Sequence, residues 1–121
     1  LAVTLWLVGF AFESVADAQM ARFKANPANQ GKIMRSGLWA LTRHPNYFGE
    51  SLMWWGMYCI ALSTPGSVWT IVSPILITFL LLRVSGVTML EKAMLGRGPE
   101  YRDYMESTSA FFPWLPGRRG R

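Results

Sequence analysis

The chain has 121 residues, of which 51% are hydrophobic and 16% are charged, and its formal net charge is +5. A soluble domain normally carries about 25% charged residues, so the composition argues against an ordinary soluble globular domain. The six tryptophans fall mostly in or beside the apolar segments described below, which is where membrane proteins place such rings, so we expect no nucleic-acid partner.

The first apolar segment covers residues 1–23. As a helix it would be about 34 Å long, which is enough to cross a hydrocarbon core of about 30 Å. Glu13 and Asp17 are four residues apart and therefore lie on one helix face, where we expect them to point into protein or a water-filled cavity. Because the chain begins with Leu1 inside an apolar run, we expect a fragment that lacks amino-terminal helices.

A basic loop without acidic residues follows, at residues 24–46. It contains Lys24, Lys32, Arg35 and Arg43, together with several amide side chains and turn-forming glycines and prolines. Attraction to lipid headgroups is one explanation of the charge. The amides and sharp turns favour a second explanation, a binding site for a polyanionic cofactor whose pyrophosphate needs cationic donors.

The second apolar segment covers residues 47–63. The polar motif "RHPNYFGE", residues 43–50, spans the end of the basic loop and the start of this segment. We expect Asn46 to be its N-cap and Glu50 to lie in its first turn, where the helix dipole favours a carboxylate. Alternatively, Tyr47, Glu50 and Trp54 share a helix face and line an opening between helices. His44 is expected to order the loop rather than to bind a metal, because no other histidine or cysteine pair completes a ligand set.

The third apolar segment, residues 68–85, is separated from the second by the turn "STPG" at 63–66, and a polar, partly helical tail follows it. The two basic stretches lie on one side if there are three spans, which agrees with the positive-inside rule. The sequence therefore predicts an all-α, polytopic membrane bundle with about three transmembrane helices and a cytoplasmic amphipathic helix in the tail. We expect a single domain over 1–121, in a bacterial inner membrane, with the loop at 24–46 and the tail in the cytoplasm.

The run "GLWALTRHPNYFGESLMWWG" resembles the signature of the DUF1295 membrane proteins, in the steroid 5-alpha-reductase C-terminal superfamily that includes sterol reductases. Further similar stretches are "GFAFESVADAQMARFK", "LLRVSGVTMLEK" and "PEYRDYMESTSAFFPWLP". The resemblance implies a helical membrane domain that binds NADPH from the cytoplasmic side. It also implies reduction of an activated carbon-carbon double bond in a steroid- or lipid-like substrate.

The resemblance and the basic loop together indicate a set of cofactor-binding residues. These are Asp17, Lys24, Lys32, Arg35, Arg43, His44, Asn46, Tyr47, Glu50, Glu91, Tyr101 and Tyr104. By resemblance, Lys32 binds phosphate, and Asn46 and Glu50 lie beside the nicotinamide or its ribose. The superfamily's proton-delivering groups lie largely in amino-terminal helices that are not in this sequence, so the catalytic residue is unassigned, with Tyr47 as a candidate proton donor.

Two other functions are compatible with the same residues. Isoprenylcysteine carboxyl methyltransferases also carry an "RHPxYxG" segment, but S-adenosylmethionine is a sulfonium cation and has less use for an acid-free basic loop than NADPH has. A non-enzymatic lipid-binding or scaffold protein is the other alternative. The expected partners are the lipid bilayer and a hydrophobic small molecule, and the sequence does not indicate an oligomeric state.

Overall fold

The computed structural model describes residues 1–84, 87–94 and 98–116, and within these ranges it contains helices and no strand. The α-helices are α1 (Ala2–Ala25), α2 (Pro45–Ala61), α3 (Val72–Phe79), α4 (Val87–Met94) and α5 (Pro99–Ser107). Short 3-10 turns cover Pro27–Asn29, Gly37–Ala40 and Val68–Ile71, and a π-helical turn covers Leu80–Val84. The all-α prediction is confirmed for the described residues.

The prediction of three membrane-spanning helices, and with it the polytopic membrane bundle, is wrong. Among the described residues, no helix combines the length and the apolar character needed to cross a membrane. Although α1 has 24 residues, it contains Glu13 and Asp17. Helix α2 has 17 residues, about 26 Å, and α3 has only eight, about 12 Å, against a hydrocarbon core of about 30 Å. The predicted location as an integral protein of the inner membrane depended on these spans and is wrong with them, so the topology that assigned the loop and tail to one side of a membrane no longer applies.

Helices α1 and α2 pack antiparallel with their backbones in contact. A Cβ atom on Gly9 would lie 2.8 Å from the Met53 nitrogen, and one on Gly49 would lie 2.7 Å from the Glu13 nitrogen. Further along, a Cβ on Gly56 would lie 2.9 Å from the Ala2 oxygen. Only glycine permits so close an approach. The antiparallel arrangement places the end of α1 beside the start of α2.

The start of α2 differs from its prediction. The helix begins with Pro45 as its first residue, a position where the missing N–H of proline costs no hydrogen bond, and His44 occupies the N-cap position. Asn46, the predicted N-cap, is already helical, and its Oδ1 accepts from the Tyr47 N–H at 3.0 Å. No acidic residue lies in the first turn, so the proposed helix-dipole role of Glu50 is also wrong.

Two hydrogen bonds from the 3-10 turn at Gly37–Ala40 hold the loop between α1 and α2 on the middle of α1. Gln19 Oε1 accepts from the Leu38 N–H at 3.1 Å, and the Trp39 indole N–H donates to the Ala16 oxygen at 3.1 Å. Ala16, Met34 and Trp39 form a small buried cluster at this junction. The basic loop is therefore folded back onto α1.

The carboxyl-terminal tail is held against the same loop. The Arg43 N–H donates to the Ser109 oxygen at 2.8 Å, and the Trp114 N–H donates to the Leu41 oxygen at 2.9 Å. The Tyr104 hydroxyl donates to the Trp39 oxygen at 2.5 Å. As a result α5 and the residues that follow it are tied to the loop between α1 and α2.

Candidate functional site

A cavity of about 790 Å³ lies where the end of α1, the basic loop, the start of α2, α4 and α5 meet. Its volume is within the range of about 300 to 1,000 Å³ that is usual for cofactor and small-molecule sites. Most of the predicted cofactor residues line it. These are Asp17, Lys24, Lys32, Arg43, His44, Asn46, Tyr101 and Tyr104.

Arg35 is a predicted cofactor-binding residue whose side chain makes its contacts away from the cavity. Its Nη1 lies 2.8 Å from Asp103 Oδ2, and its Nη2 donates to the Ser107 hydroxyl at 3.0 Å. Its guanidinium carbon lies 5.4 Å from the centre of the Tyr104 ring. Arg35 therefore holds α5 against the loop and does not line the cavity.

Tyr47 and Glu50 also lie outside the cavity lining. The Tyr47 ring stacks on His44 with the ring centres 5.4 Å apart. Glu50 lies close to Glu13, whose pKa is raised chiefly by burial and then by the negative charges of Glu50 and Asp17. Asn46 and Glu50 are one turn apart on α2, and of the two only Asn46 lines the cavity.

Arg43 and His44 line one side of the cavity and form a buried ionic cluster with Glu91, a predicted cofactor-binding residue that does not itself line the cavity. Glu91 Oε2 lies 2.7 Å from Arg43 Nη1 and 3.0 Å from His44 Nε2, and their side chains are 13%, 8% and 1% exposed respectively. Arg43 Nη1 is close enough for an ion pair, but the described residues provide no hydrogen-bond partner for it, for Arg43 Nε or for His44 Nδ1. These atoms are buried, and a buried polar atom without a partner costs about 1 to 3 kcal/mol, so the cluster is formed at a cost in stability.

The free positive charge of the site belongs to Lys24 and Lys32. Both side chains are exposed at the cavity, and within the described ranges neither has an ion-pair partner. The charge of Arg43, in contrast, is opposed by Glu91. The site consequently has an exposed cationic rim and a buried wall whose ion pair is close to neutral.

Two tyrosines from α5 complete the buried side. Burial, followed by the nearby charge of Glu91, raises the pKa of Tyr101 to about 12. Burial is also the main cause of the raised pKa of Tyr104, whose hydroxyl contacts the Trp39 and Thr42 oxygens. Both hydroxyls are therefore protonated near neutral pH, and that of Tyr104 is already used within the protein.

Two amides of the loop shape it locally. Asn26 Oδ1 accepts from the Ala28 N–H at 3.0 Å, and Asn29 Nδ2 donates to the Phe23 oxygen at 3.0 Å. These bonds fold the loop at the end of α1 so that Lys24 and Lys32 both face the cavity. The amides thus contribute to the site partly by fixing the path of the backbone.

The sequence predictions missed the apolar part of the lining. Met20, Phe23, Met34 and Trp39 all contribute to it. A signal was present in α1, where Ala16, Met20 and Phe23 follow the spacing of four and three residues that places side chains on one helix face. The site therefore combines polar and apolar surfaces.

Comparison with known proteins places the chain in a family. The family model described as "Protein of unknown function (DUF1295)" matches residues 1–108. An uncharacterized protein of Schizosaccharomyces pombe is 28% identical over 142 aligned residues, covering 97% of this chain and 39% of that protein. A probable O-methyltransferase of Ustilaginoidea virens is 35% identical over 65 residues, covering 54% of this chain and 22% of that protein.

The chain spans about two fifths of the first of these relatives and about a fifth of the second. No solved structure matches the chain. The family model covers far more than half of the sequence and includes the α1, loop and α2 residues of the cavity. The chain therefore belongs to the DUF1295 family.

Proposed function

We propose that this chain is the cofactor-binding part of an NADPH-dependent oxidoreductase that reduces a carbon-carbon double bond in a steroid- or lipid-like substrate. The observation that carries the proposal is the convergence of Lys24 and Lys32, both without an ion-pair partner in the described residues, on one cavity with a buried polar wall. The resemblance of the family to steroid and sterol reductases supports the reaction class.

The residues present fit a phosphate-rich dinucleotide. Lys24 and Lys32 supply cationic donors at the exposed rim, where phosphates remain partly hydrated. Asp17 contributes a carboxylate that can accept from ribose hydroxyls. Arg43 and His44 line the buried side of the same cavity.

NADPH, when bound, supplies a hydride for the reduction. The chain's own residues bind and orient the cofactor between the lysine rim and the buried wall. Met20, Phe23 and Trp39 provide apolar surface that excludes water and suits a hydrophobic substrate. Tyr101 and Tyr104 keep their protons near neutral pH and therefore add no negative charge opposite the cofactor.

A methyltransferase is the second candidate. It is favoured by the similarity to the probable O-methyltransferase of Ustilaginoidea virens. Asp17 and the aromatic residues of the cavity are also compatible with the ribose and adenine of S-adenosylmethionine. The two unpaired lysines weigh against it, since the reactive centre of S-adenosylmethionine is itself a cation.

Ligand-dependent thermal stability distinguishes the two candidates. A ligand that binds only the folded state raises the melting temperature, by an amount equivalent to about 2.7 kcal/mol at 100 times its Kd. We expect NADPH to stabilise the protein and S-adenosylmethionine not to do so. Stabilisation by S-adenosylmethionine alone would establish the second candidate and reject the first.

Charge-neutral variants test the phosphate role of the rim. Lys24→Gln and Lys32→Gln should each weaken NADPH binding by about one to two decades, because a hydrogen bond to a charged group contributes about 1.5 to 3 kcal/mol. Lys92→Gln is the matched control, since Lys92 is exposed on α4 and does not line the cavity. Equal NADPH affinity in all three variants and the wild type would contradict the assignment.

A further inference from the structure

Helix α4 contributes to the cavity although most of its described side chains are exposed. Leu90 and Met94 are four residues apart on one helix face, and both line the cavity. Met89 and Leu90 are nevertheless 60% and 41% exposed. We propose that α4 is a lid that opens to admit the ligand of the cavity, and that Glu91 is the latch that holds this lid closed. The identity of the ligand rests on the proposed binding of NADPH, whereas the latch does not.

Little packing holds α4 in place. Among the described residues, its backbone packs chiefly against the π-helical turn Leu80–Val84, which precedes it in the chain. A helix of eight residues is too short to be stable on its own in water, because most of the stability of a helix in a protein comes from the packing of an apolar face. The position of α4 therefore depends on the few of its side chains that are partly buried.

Glu91 ties α4 to the opposite side of the site. Its Oε2 lies 2.7 Å from Arg43 Nη1 and 3.0 Å from His44 Nε2, so one carboxylate oxygen contacts two residues that line the cavity. These residues directly precede α2 and are far from α4 in the sequence. The Glu91 side chain is only 13% exposed, in contrast to its exposed neighbours on α4. Loss of this contact would release α4 from the start of α2.

The latch closes at a cost, and this cost makes opening accessible. In the closed state Arg43 Nε and His44 Nδ1 are buried, and the described residues provide no hydrogen-bond partner for either atom. The desolvation of a buried ion pair can cost as much as the attraction between its charges returns. Movement of α4 away from the cavity would let water reach Glu91 and Arg43, so part of the desolvation cost is recovered. The open state is therefore accessible without unfolding of the other helices.

Helix α5, which follows α4 in the chain, is held more firmly. Tyr101 and Tyr104 are 4% and 2% exposed, and the Tyr104 hydroxyl donates to the Trp39 oxygen. The Ser109 oxygen, just after α5, accepts from the Arg43 N–H at 2.8 Å. We therefore expect opening to move α4 alone, while α5 and the tail remain on the loop.

Amide hydrogen exchange of the ligand-free, full-length chain tests the latch. In the wild type, the amides of residues 91–94 should be less protected than those of α5, because α4 opens locally. Glu91→Gln keeps the shape of the side chain but removes its charge, and it should accelerate exchange in α4 roughly tenfold while leaving α5 unchanged. Glu106→Gln, which removes an exposed acid of α5, is the control and should change neither helix. Equal protection of α4 and α5 in the wild type, or unchanged exchange of α4 in Glu91→Gln, would overturn the proposal.

Stopped-flow binding of NADPH tests the lid. A ligand that passes only through the open state binds and dissociates at rates that follow the population of that state. If Glu91 closes α4 over the empty and the occupied cavity alike, Glu91→Gln should raise the association and dissociation rate constants together, roughly tenfold each, and change Kd by less than about threefold. A direct contact of Glu91 with the ligand predicts a faster dissociation alone and a weaker Kd. That result, or two unchanged rate constants, would refute the lid while leaving the proposed function intact.

Failure of the proposed function is recognised separately. If S-adenosylmethionine binds and NADPH does not, the proposed function is wrong. The same two rate constants, measured with S-adenosylmethionine, then support or refute the lid by the same criteria. The exchange of α4 in the ligand-free chain supports or refutes the latch in either case.

Discussion

Replacing Gly9 by alanine tests how the packing of α1 on α2 positions the cavity. The added Cβ would lie 2.8 Å from the Met53 nitrogen and 2.9 Å from Leu52 Cβ, and it would also meet the Gly49 carbonyl oxygen. Since heavy atoms normally pack at about 3.5 to 4.0 Å and the contact with the Gly49 oxygen is the shortest of the three, the two helices would have to separate or slide by roughly 1 Å. Two of these three atoms belong to the backbone, so a change of side-chain rotamer cannot relieve the contact.

The magnitude follows from two opposing terms. Alanine in place of glycine favours a helix by about 1 kcal/mol, whereas overpacking costs about 1 to 3 kcal/mol and should be near its upper limit here. We therefore expect Gly9→Ala to lower the free energy of unfolding by about 1 to 2 kcal/mol and the melting temperature by about 3 to 10 °C. NADPH affinity should fall as well, because α1 carries Asp17 and Lys24 whereas α2 carries Asn46.

Chemical denaturation and ligand titration measure both effects. Gly66→Ala is the control, since its Cβ would meet no atom within 4 Å but its φ of +81° disfavours alanine. It should lose about 1 kcal/mol of stability and keep its affinity for NADPH. A Gly9→Ala protein as stable as the wild type would refute the packing argument. The Gly9→Ala/Gly49→Ala double variant should lose less than the sum of the single variants, because one separation of the helices accommodates both methyl groups.

Three further predictions concern the tail. Tyr104→Phe should lose about 1 to 3 kcal/mol of stability in denaturant titrations, because it leaves the Trp39 oxygen without its 2.5 Å hydrogen bond. An unchanged stability would contradict the role of that hydrogen bond. The wild type should lose stability as the pH rises from 10 to about 12, because the pKa of Tyr101 is about 12 in the folded chain and Tyr101 ionises more readily when unfolded. Denaturation measured across this pH range should show a weaker dependence in Tyr101→Phe. Arg35→Gln should cost at most about 1 kcal/mol, because its ion pair with Asp103 is largely exposed, and NADPH affinity should not change in a binding titration.

Local sequence patterns were sufficient for several features. The charge-free run from 51 to 82 and the "STPG" turn correctly indicated apolar helical segments separated at 63–66, where the structure has a turn with Gly66 at positive φ. The family signature was also recognisable from contiguous residues, and the family model confirms it. These features depend on neighbouring residues, whose backbone preferences and periodicity are present in the sequence itself.

Helix length was not determined by apolar character alone. The third segment was predicted as one helix over 68–85, but it is divided into a 3-10 turn, the eight-residue α3 and a π-helical turn. Pro74 was an available signal, because a proline lacks the backbone donor and clashes with the carbonyl four residues before it. The membrane prediction failed because it assumed continuous α-helices wherever the sequence was apolar.

The electrostatic roles at the cavity were decided by the tertiary structure. From the sequence, Lys24, Lys32, Arg35 and Arg43 were equivalent cations of one loop. In the folded chain Arg35 forms an ion pair with Asp103, and Arg43 forms one with Glu91. Neither lysine forms an ion pair with an acidic residue in the described part of the chain. Both acids are far from the loop in the sequence. Their attraction depends on distances that only the packing of α4 and α5 creates, because the Coulomb energy of a pair follows its separation in space.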